Sequence, residues 1–253
     1  MFAIAGVSGH TGRVVADTLL AQSLPVRVIV RDAAKGEAWK ARGAQVAVAD
    51  VKDTRALTAA LKGARGAYLL SPPNLAATDV AKNARENLDS MRAAVAESGV
   101  QHVVFLSSIG AHLPSGTGPI ATLHAFEREL GALAAHASFL RAAYFMENLL
   151  ANLHPMKEQG VLPAMLPGEL AFPMVATPDI GAVAARLLRA GRAAPKVVEL
   201  GGPTERSLAD AAQVFSAKLG KPIELAPVPR EAQADVLRSV GLKGPDGAAT
   251  LSD

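Results

Sequence analysis

Residues 5–14 read AGVSGHTGRV, directly after the short apolar run MFAI. Three glycines, Gly6, Gly9 and Gly12, recur at every third position with small or polar residues between them. The run before them has the apolar character of a strand, and GRVVADTLLAQ after them carries apolar residues at helical spacing. A glycine-rich turn between strand and helix lets backbone N–H groups approach a pyrophosphate closely, because no Cβ stands in the way. The helix adds unsatisfied N–H groups and the positive end of its dipole. On this reading Ser8, His10 and Thr11 flank the phosphates and the helix opens near Gly12. Gly9 is then expected in a positive-φ conformation that other residues adopt only at a cost. A plain tight turn is the alternative for any glycine triplet. The strand before it and the helix after it favour the dinucleotide reading.

Outward from this stretch the chain alternates between two signals. Strand-like runs occur at VRVIV (26–30), AQVAVAD (44–50), AYLLS (67–71), HVVFLSS (102–108) and SFLRAA (138–143). Helical segments rich in Ala, Leu, Lys and Glu separate them, the longest spanning 78–98 with Gly99 as its expected C-cap. Near-continuous apolar strands suit a parallel sheet buried on both faces. The alternation implies βαβ units, and hence an α/β fold with a doubly wound parallel sheet over residues 1–150. Near Leu150 the texture changes, as Pro155, Pro163, Pro167, Pro173 and Pro178 break the chain into short pieces. Residues 151–253 are expected to form a smaller α/β lobe covering the substrate and interleaved with the first domain. Its elements are helices at 178–188 and 207–220 and strands at 196–200 and 223–228. The end, VGLKGPDGAATLSD (240–253), is a glycine-rich connection leading to no element. It reads either as a closing tail or as a chain truncated before a further helix.

Composition narrows the function. Among 253 residues 50% are hydrophobic, 19% charged and 4% aromatic, with a formal net charge of +3. That is enough chain for a substantial core. The absence of cysteine excludes disulfides, thiolate metal sites and a cysteine nucleophile, and fits a reducing cytoplasm. Basic residues are scattered without aromatic interleaving, so direct contact with nucleic acid is not expected. No basic segment precedes the first strand and no apolar stretch is long enough to span a bilayer, so neither a signal peptide nor a membrane partner is expected. The six histidines lack ligand spacing, so no metal is expected, and no GxSxG elbow suggests a hydrolase. A small-molecule substrate is the expected partner, and monomer and homodimer both remain open.

The GxxGxxG spacing resembles the extended and atypical short-chain dehydrogenase/reductases. NLDSMRAAVAESGVQHVVFLSSIGAH (87–112) resembles the N-x-x-x-A-A-x-x-x-G-V-x-x-x-V-x-x-S-S block of the NmrA-like family. FLRAAYFMENLL (139–150) is similar to that family's R-x-x-x-F-x-E-N segment, and VATPDIGAVAARLL (175–188) to its Asp-Ile-(Gly/Ala) helix start. The resemblance spans roughly residues 1–230 in four ordered motifs. It implies a Rossmann-type domain, bound NADP(H) or NAD(H), and a C-terminal lobe over the nicotinamide. It also implies contacts with adenine at Asp50, with ribose and pyrophosphate at Leu70, Ser71 and Pro72, and near the nicotinamide at Ser107 and Ser108.

The end of the second strand chooses between the two cofactors. An acidic residue there binds a ribose 2′-hydroxyl and repels a 2′-phosphate, whereas arginine does the reverse. Arg31 and Lys35 favour NADP(H) over NAD(H), as a planar fork and a point charge. Asp32 between them is able to take the ribose instead.

The Tyr-x-x-x-Lys pair of typical short-chain dehydrogenases is missing, since neither Tyr68 nor Tyr144 has a lysine four positions later. The corresponding segment, IATLHAFERELGAL (120–133), offers His124 as the candidate catalytic proton donor. Leu123, Phe126, Leu130 and Leu133 form its apolar stripe, with His124 at one edge. Tyr144, Phe145, Met146 and Asn148 are expected to line the substrate pocket, while Glu147 either lines it or ties the lobe to the sheet. The expected function is NADP(H)-dependent hydride transfer to a quinone or similar small electrophile. A non-catalytic redox sensor acting through a protein partner is the alternative.

Overall fold

The computed structural model describes residues 1–72 and 79–239. Pro73, the expected helix start at Thr78 and the segment 240–253 lie outside the described residues. The first half of the chain forms β1 (Phe2–Ile4), α1 (His10–Ala21), β2 (Val26–Val30), α2 (Glu37–Lys40) and β3 (Gln45–Val48). There follow α3 (Thr54–Leu61), β4 (Gly66–Leu69), α4 (Val80–Ser98), β5 (His102–Ser108), α5 (Ala121–Gly131) and β6 (His136–Ala142). The second half forms β7 (Tyr144–Phe145), α6 (Leu153–Gln159), β8 (Val161–Ala164), β9 (Met174–Val175) and α7 (Thr177–Ala190). It continues with β10 (Val197–Leu200), α8 (Leu208–Leu219), β11 (Glu224–Pro227) and α9 (Arg230–Ser239).

Seven parallel strands form the central sheet in the order β10-β6-β5-β4-β1-β2-β3. This is the doubly wound Rossmann-type arrangement. Strand order reverses between β1 and β4, and in such sheets ligands bind at that switch point, outside the carboxyl ends of the strands. Alternate residues of β1 serve opposite cores. Phe2 and Ile4 pack with Val15 and Leu19 of α1 and Ile180, Ala184 and Leu188 of α7. Ala3 packs on the other face with Leu57 and Leu61 of α3, Leu88 and Met91 of α4, and Phe126 and Leu130 of α5. Burial on both faces is what the uninterrupted apolar strands required. Gly99, at φ +73°, closes α4 as its C-cap.

Two elements from beyond residue 150 belong to the central layers. The strand at KVVEL becomes β10, which pairs with β6 through Val198 and Leu140. It thereby converts β6 from an edge strand into an interior one. Helix α7 packs on α1 so closely that a Cβ on Gly181 would lie 2.5 Å from Val14 Cβ. The glycine of the Asp-Ile-Gly start therefore serves helix packing.

What remains of the second half builds the lobe. β8 pairs with β11 and β7 with β9. Two small cores lie under these pairs, one around Leu149, Met174 and Leu208 and the other around Met156, Leu162 and Ile223. The proline-rich stretch is more regular than its sequence implies. Pro155 sits in the first turn of α6, where a missing N–H breaks no helical bond. Among the described residues no helix is long and apolar enough to cross a membrane.

Candidate functional site

The glycines divide three tasks. Gly6, at φ +70°, makes the left-handed turn out of β1. Its carbonyl accepts the Gly9 N–H at 2.9 Å. Gly9 itself is extended, at φ −101° and ψ −174°, so the positive-φ expectation moves from Gly9 to Gly6. It is the N-cap of α1, which begins at His10 rather than near Gly12, and no side chain caps that helix. The first-turn N–H groups of α1 therefore lack an intrahelical partner. Gly12 lies below the loop. A Cβ there would meet the Ala5 carbonyl oxygen at 2.4 Å, so this glycine lets α1 pack on β1. Beneath the same turn the fully buried Tyr68 hydroxyl donates to Thr11 Oγ1 at 2.9 Å. Burial holds the Tyr68 hydroxyl protonated well above its ordinary range. The Thr11 hydroxyl hydrogen is thus left to donate elsewhere.

A cavity of about 1230 Å³ runs along the carboxyl ends of the strands. At the β2 and β3 end it is lined by Arg31, Lys35, Asp50 and Lys52. It passes Gly6, Ser8, Gly9, His10 and Thr11, then Leu70, Ser71 and Pro72 after β4. It ends among Ser107, Ser108, Tyr144, Phe145, Asn148, Phe172 and Pro173. Of the expected site residues, Gly12, Met146 and His124 stand outside this lining. Met146 is exposed beside β7. His124 Nδ1 meets the Ala111 carbonyl oxygen at 3.1 Å, so that nitrogen carries the proton and the imidazole is tied to backbone. α5 presents Leu123 to the cavity instead, while Phe126 and Leu130 are buried in the core.

At the basic end the side chain of Asp32 is already engaged. Its Oδ1 accepts the Ala34 N–H at 2.9 Å, capping the 3-10 turn at 33–36, and Asp32 does not line the cavity. Arg31 and Lys35 do. Asp50 Oδ1 accepts the Lys52 N–H at 2.9 Å, and Lys52 Nζ pairs with Glu86 at 2.8 Å across the mouth to α4.

Several polar groups were not anticipated in these roles. Asn87, the first residue of the Asn-x-x-x-Ala-Ala block, is buried and donates from Nδ2 to Ser71 Oγ at 3.1 Å. Its Oδ1 has no partner among the described residues. The Ser107 hydroxyl donates to Glu127 Oε1 at 2.6 Å. Arg141 grips the same carboxylate at 3.0 and 2.6 Å and extends to Glu199 at 3.3 Å. Glu147 takes the anchoring role of its two readings. It accepts the Thr177 N–H at 3.0 Å and the Thr177 hydroxyl at 2.7 Å, capping α7 where Ala176 has no side-chain oxygen to do so. The family motifs marked Asn87, Arg141 and Glu147 as notable, but their partners lie 14 to 58 positions away on other elements, beyond the reach of spacing.

At the far end the Tyr144 and Phe172 rings meet edge to face, with centroids 5.6 Å apart at 89°. A charged, glycine-lined channel thus opens into an apolar aromatic recess.

This architecture recurs in known proteins. The chain is 31% identical over 256 residues to quinone oxidoreductase 2 of Escherichia coli (strain K12), covering 99% of this chain and 85% of that one. It is 28% identical over 242 residues to the NAD(P)H azoreductase of Xenophilus azovorans, covering 96% and 82%. The crystal structure of an NADPH-dependent quinone oxidoreductase from Escherichia coli complexed with NADPH superposes with a TM-score of 0.83 at 29% identity, over 100% of this chain and 87% of that one. The family model of the NmrA-like family matches residues 1–245, and this chain belongs to that family.

Proposed function

We propose that the protein is an NADPH-dependent reductase that passes a hydride to a quinone or another small, planar, electron-poor acceptor. The observation that carries this reading is the two-ended cavity, basic and glycine-lined at one end and aromatic at the other. Its volume of about 1230 Å³ exceeds that of a pocket for one drug-sized ligand, roughly 300–1,000 Å³. The chain's own groups suit a dinucleotide. Uncapped α1 offers N–H groups and its positive dipole end to a pyrophosphate. Arg31 and Lys35 offer positive charge to a 2′-phosphate, while Asp32 stands outside the lining with its Oδ1 occupied by the Ala34 N–H. The Asn87 Oδ1 stands ready to accept a hydrogen bond. When bound, reduced nicotinamide supplies a hydride with both electrons. Tyr144, Phe145, Phe172 and Pro173 would hold a flat acceptor and exclude water from it. The named activities of the quinone and azo relatives point the same way.

The test pairs turnover with binding. A panel of quinones is offered with NADPH or NADH, and consumption of the reduced nicotinamide is followed by its absorbance. Calorimetry supplies Kd for both cofactors and for an Arg31→Ala variant. Turnover with NADPH is expected, and Arg31→Ala should weaken NADPH at least about tenfold with little effect on NADH, since a charge-assisted bond contributes about 1.5–3 kcal/mol. Tight NADPH binding with no turnover on any acceptor would replace the reductase with the redox-sensor reading. Tighter binding of NADH would overturn the cofactor assignment.

A further inference from the structure

The substrate end of the cavity holds few free hydrogen-bond donors. Both serine hydrogens at the end of β5 are directed elsewhere. Ser107 donates to Glu127 at 2.6 Å and Ser108 to the Ile109 carbonyl at 3.0 Å. Backbone donors are engaged as well. The Ile109 N–H reaches Ala142, the Ala143 N–H reaches Leu200, and the Tyr144 N–H reaches Pro173. His124 is outside the lining and tied to Ala111. The Tyr144 hydroxyl, by contrast, has no hydrogen-bond partner among the described residues, and the side chain lines the cavity with the residue 39% exposed. Its backbone is fixed by the β7–β9 pairing and its ring by the edge-to-face contact with Phe172.

We propose that the Tyr144 hydroxyl is the donor that hydrogen-bonds the acceptor oxygen as it gains negative charge, which makes Tyr144 a catalytic residue. The inference rests on the reductase reading above. The quinone takes the hydride on one carbonyl oxygen, and the displaced π electrons move through the ring onto the opposite oxygen. NADPH is left as NADP⁺, and the product is a hydroquinone monoanion. Tyr144 keeps its own proton and holds the new oxyanion, and solvent supplies the proton that completes the hydroquinone. Asn148 also lines this end, but a carboxamide is a far weaker acid than a phenol and so a poorer donor to an oxyanion. Partial burial raises the Tyr144 pKa further, so the donor stays protonated throughout the neutral range. The site thus replaces the missing Tyr-x-x-x-Lys pair with a phenol on a different element, one that needs no lysine because it is not asked to ionise.

Tyr144→Phe keeps the ring and removes the donor. In the variant kcat/KM for quinones should fall about tenfold to a hundredfold, somewhat less than the roughly 10²–10³ seen when a sequestered oxyanion donor is lost. Kd for NADPH should be unchanged. A second readout needs no turnover. 4-Nitrophenolate mimics the hydroquinone monoanion, and 4-nitroanisole has the same shape without the charge. Titrated in the presence and absence of NADP⁺, the phenolate should bind the variant about tenfold more weakly and lose its absorbance shift, while the ether binds both proteins equally. Unchanged quinone turnover in Tyr144→Phe, or an equal loss of affinity for both probes, overturns the inference alone. Absence of turnover on any acceptor in the wild-type protein overturns the reductase reading and this inference with it.

Discussion

Gly9 and Gly12 are three positions apart in one motif, yet the structure gives them opposite liabilities, and alanine at each should separate them. At Gly12 a Cβ would stand 2.4 Å from the Ala5 carbonyl oxygen and 2.6 Å from the Gly6 carbonyl carbon and oxygen. These are backbone atoms that cannot rotate away, so α1 must lift from β1. Overpacking of this kind costs about 3 kcal/mol, the upper part of the usual range. The better helix propensity of alanine returns about 1 kcal/mol. The net loss of about 2 kcal/mol corresponds to a fall in Tm of about 4–8 °C in a chain of this size. At Gly9 the nearest atom to a new Cβ is the Gly6 carbonyl oxygen at 3.4 Å, and φ is −101°, which alanine adopts freely. Alanine is a poorer N-cap, which limits the cost to about 1 kcal/mol. The methyl group would instead occupy the approach to the α1 N–H groups, so NADPH affinity should fall at least about tenfold. Differential scanning fluorimetry without ligand and calorimetry with NADPH read the two effects separately. A Gly12→Ala protein that melts like wild type, or a Gly9→Ala protein with unchanged NADPH affinity, would refute the division of labour.

Two further outcomes follow from polar groups away from the cavity. Glu147→Gln keeps one acceptor oxygen but removes the charge at the N-terminus of α7, so the ligand-free protein should lose about 1–2 kcal/mol in denaturant unfolding; no loss would mean that α7 is capped well enough without it. His102, 1% exposed and packed against His136, is held by burial and then by that neighbour at a pKa of about 4, below its ordinary value of 6.5. The unfolded chain therefore binds the proton more readily, so stability should fall as pH drops from about 6.5 towards 4. A His102→Gln variant should show a shallower decline of Tm across that window, and an identical slope would remove His102 as the titrating group.

Much of the fold was legible in the chain because its signals are local. Runs such as VRVIV and HVVFLSS coincide with β2 and β5, since strands buried on both faces need unbroken apolar character. The glycine spacing announced the strand–turn–helix unit for a similarly local reason. Less legible was KVVEL, a short strand that pairs with β6 in the central sheet although nearly sixty residues separate the two strands. Pairing of that kind depends on which edge needs covering, and local pattern does not record it. His124 shows the same limit on a helix. Periodicity identified the buried stripe through Phe126 and Leu130, but it was the position of the Ala111 carbonyl that decided where the imidazole turned.

The sequence by itself determined the element types, the parallel sheet and the phosphate-loop motif, because each depends on side-chain size and backbone freedom within a few residues. Tertiary structure decided how the polar side chains were committed. Asp32 was turned to its own 3-10 turn, Ser107 and Arg141 to Glu127, and Glu147 to a helix 30 positions downstream. Hydrogen bonds are directional and short, so a displacement of an ångström or two chooses the partner. Only the packed fold sets positions that closely, and in doing so it left the Tyr144 hydroxyl without a partner among the described residues at the substrate end of the cavity.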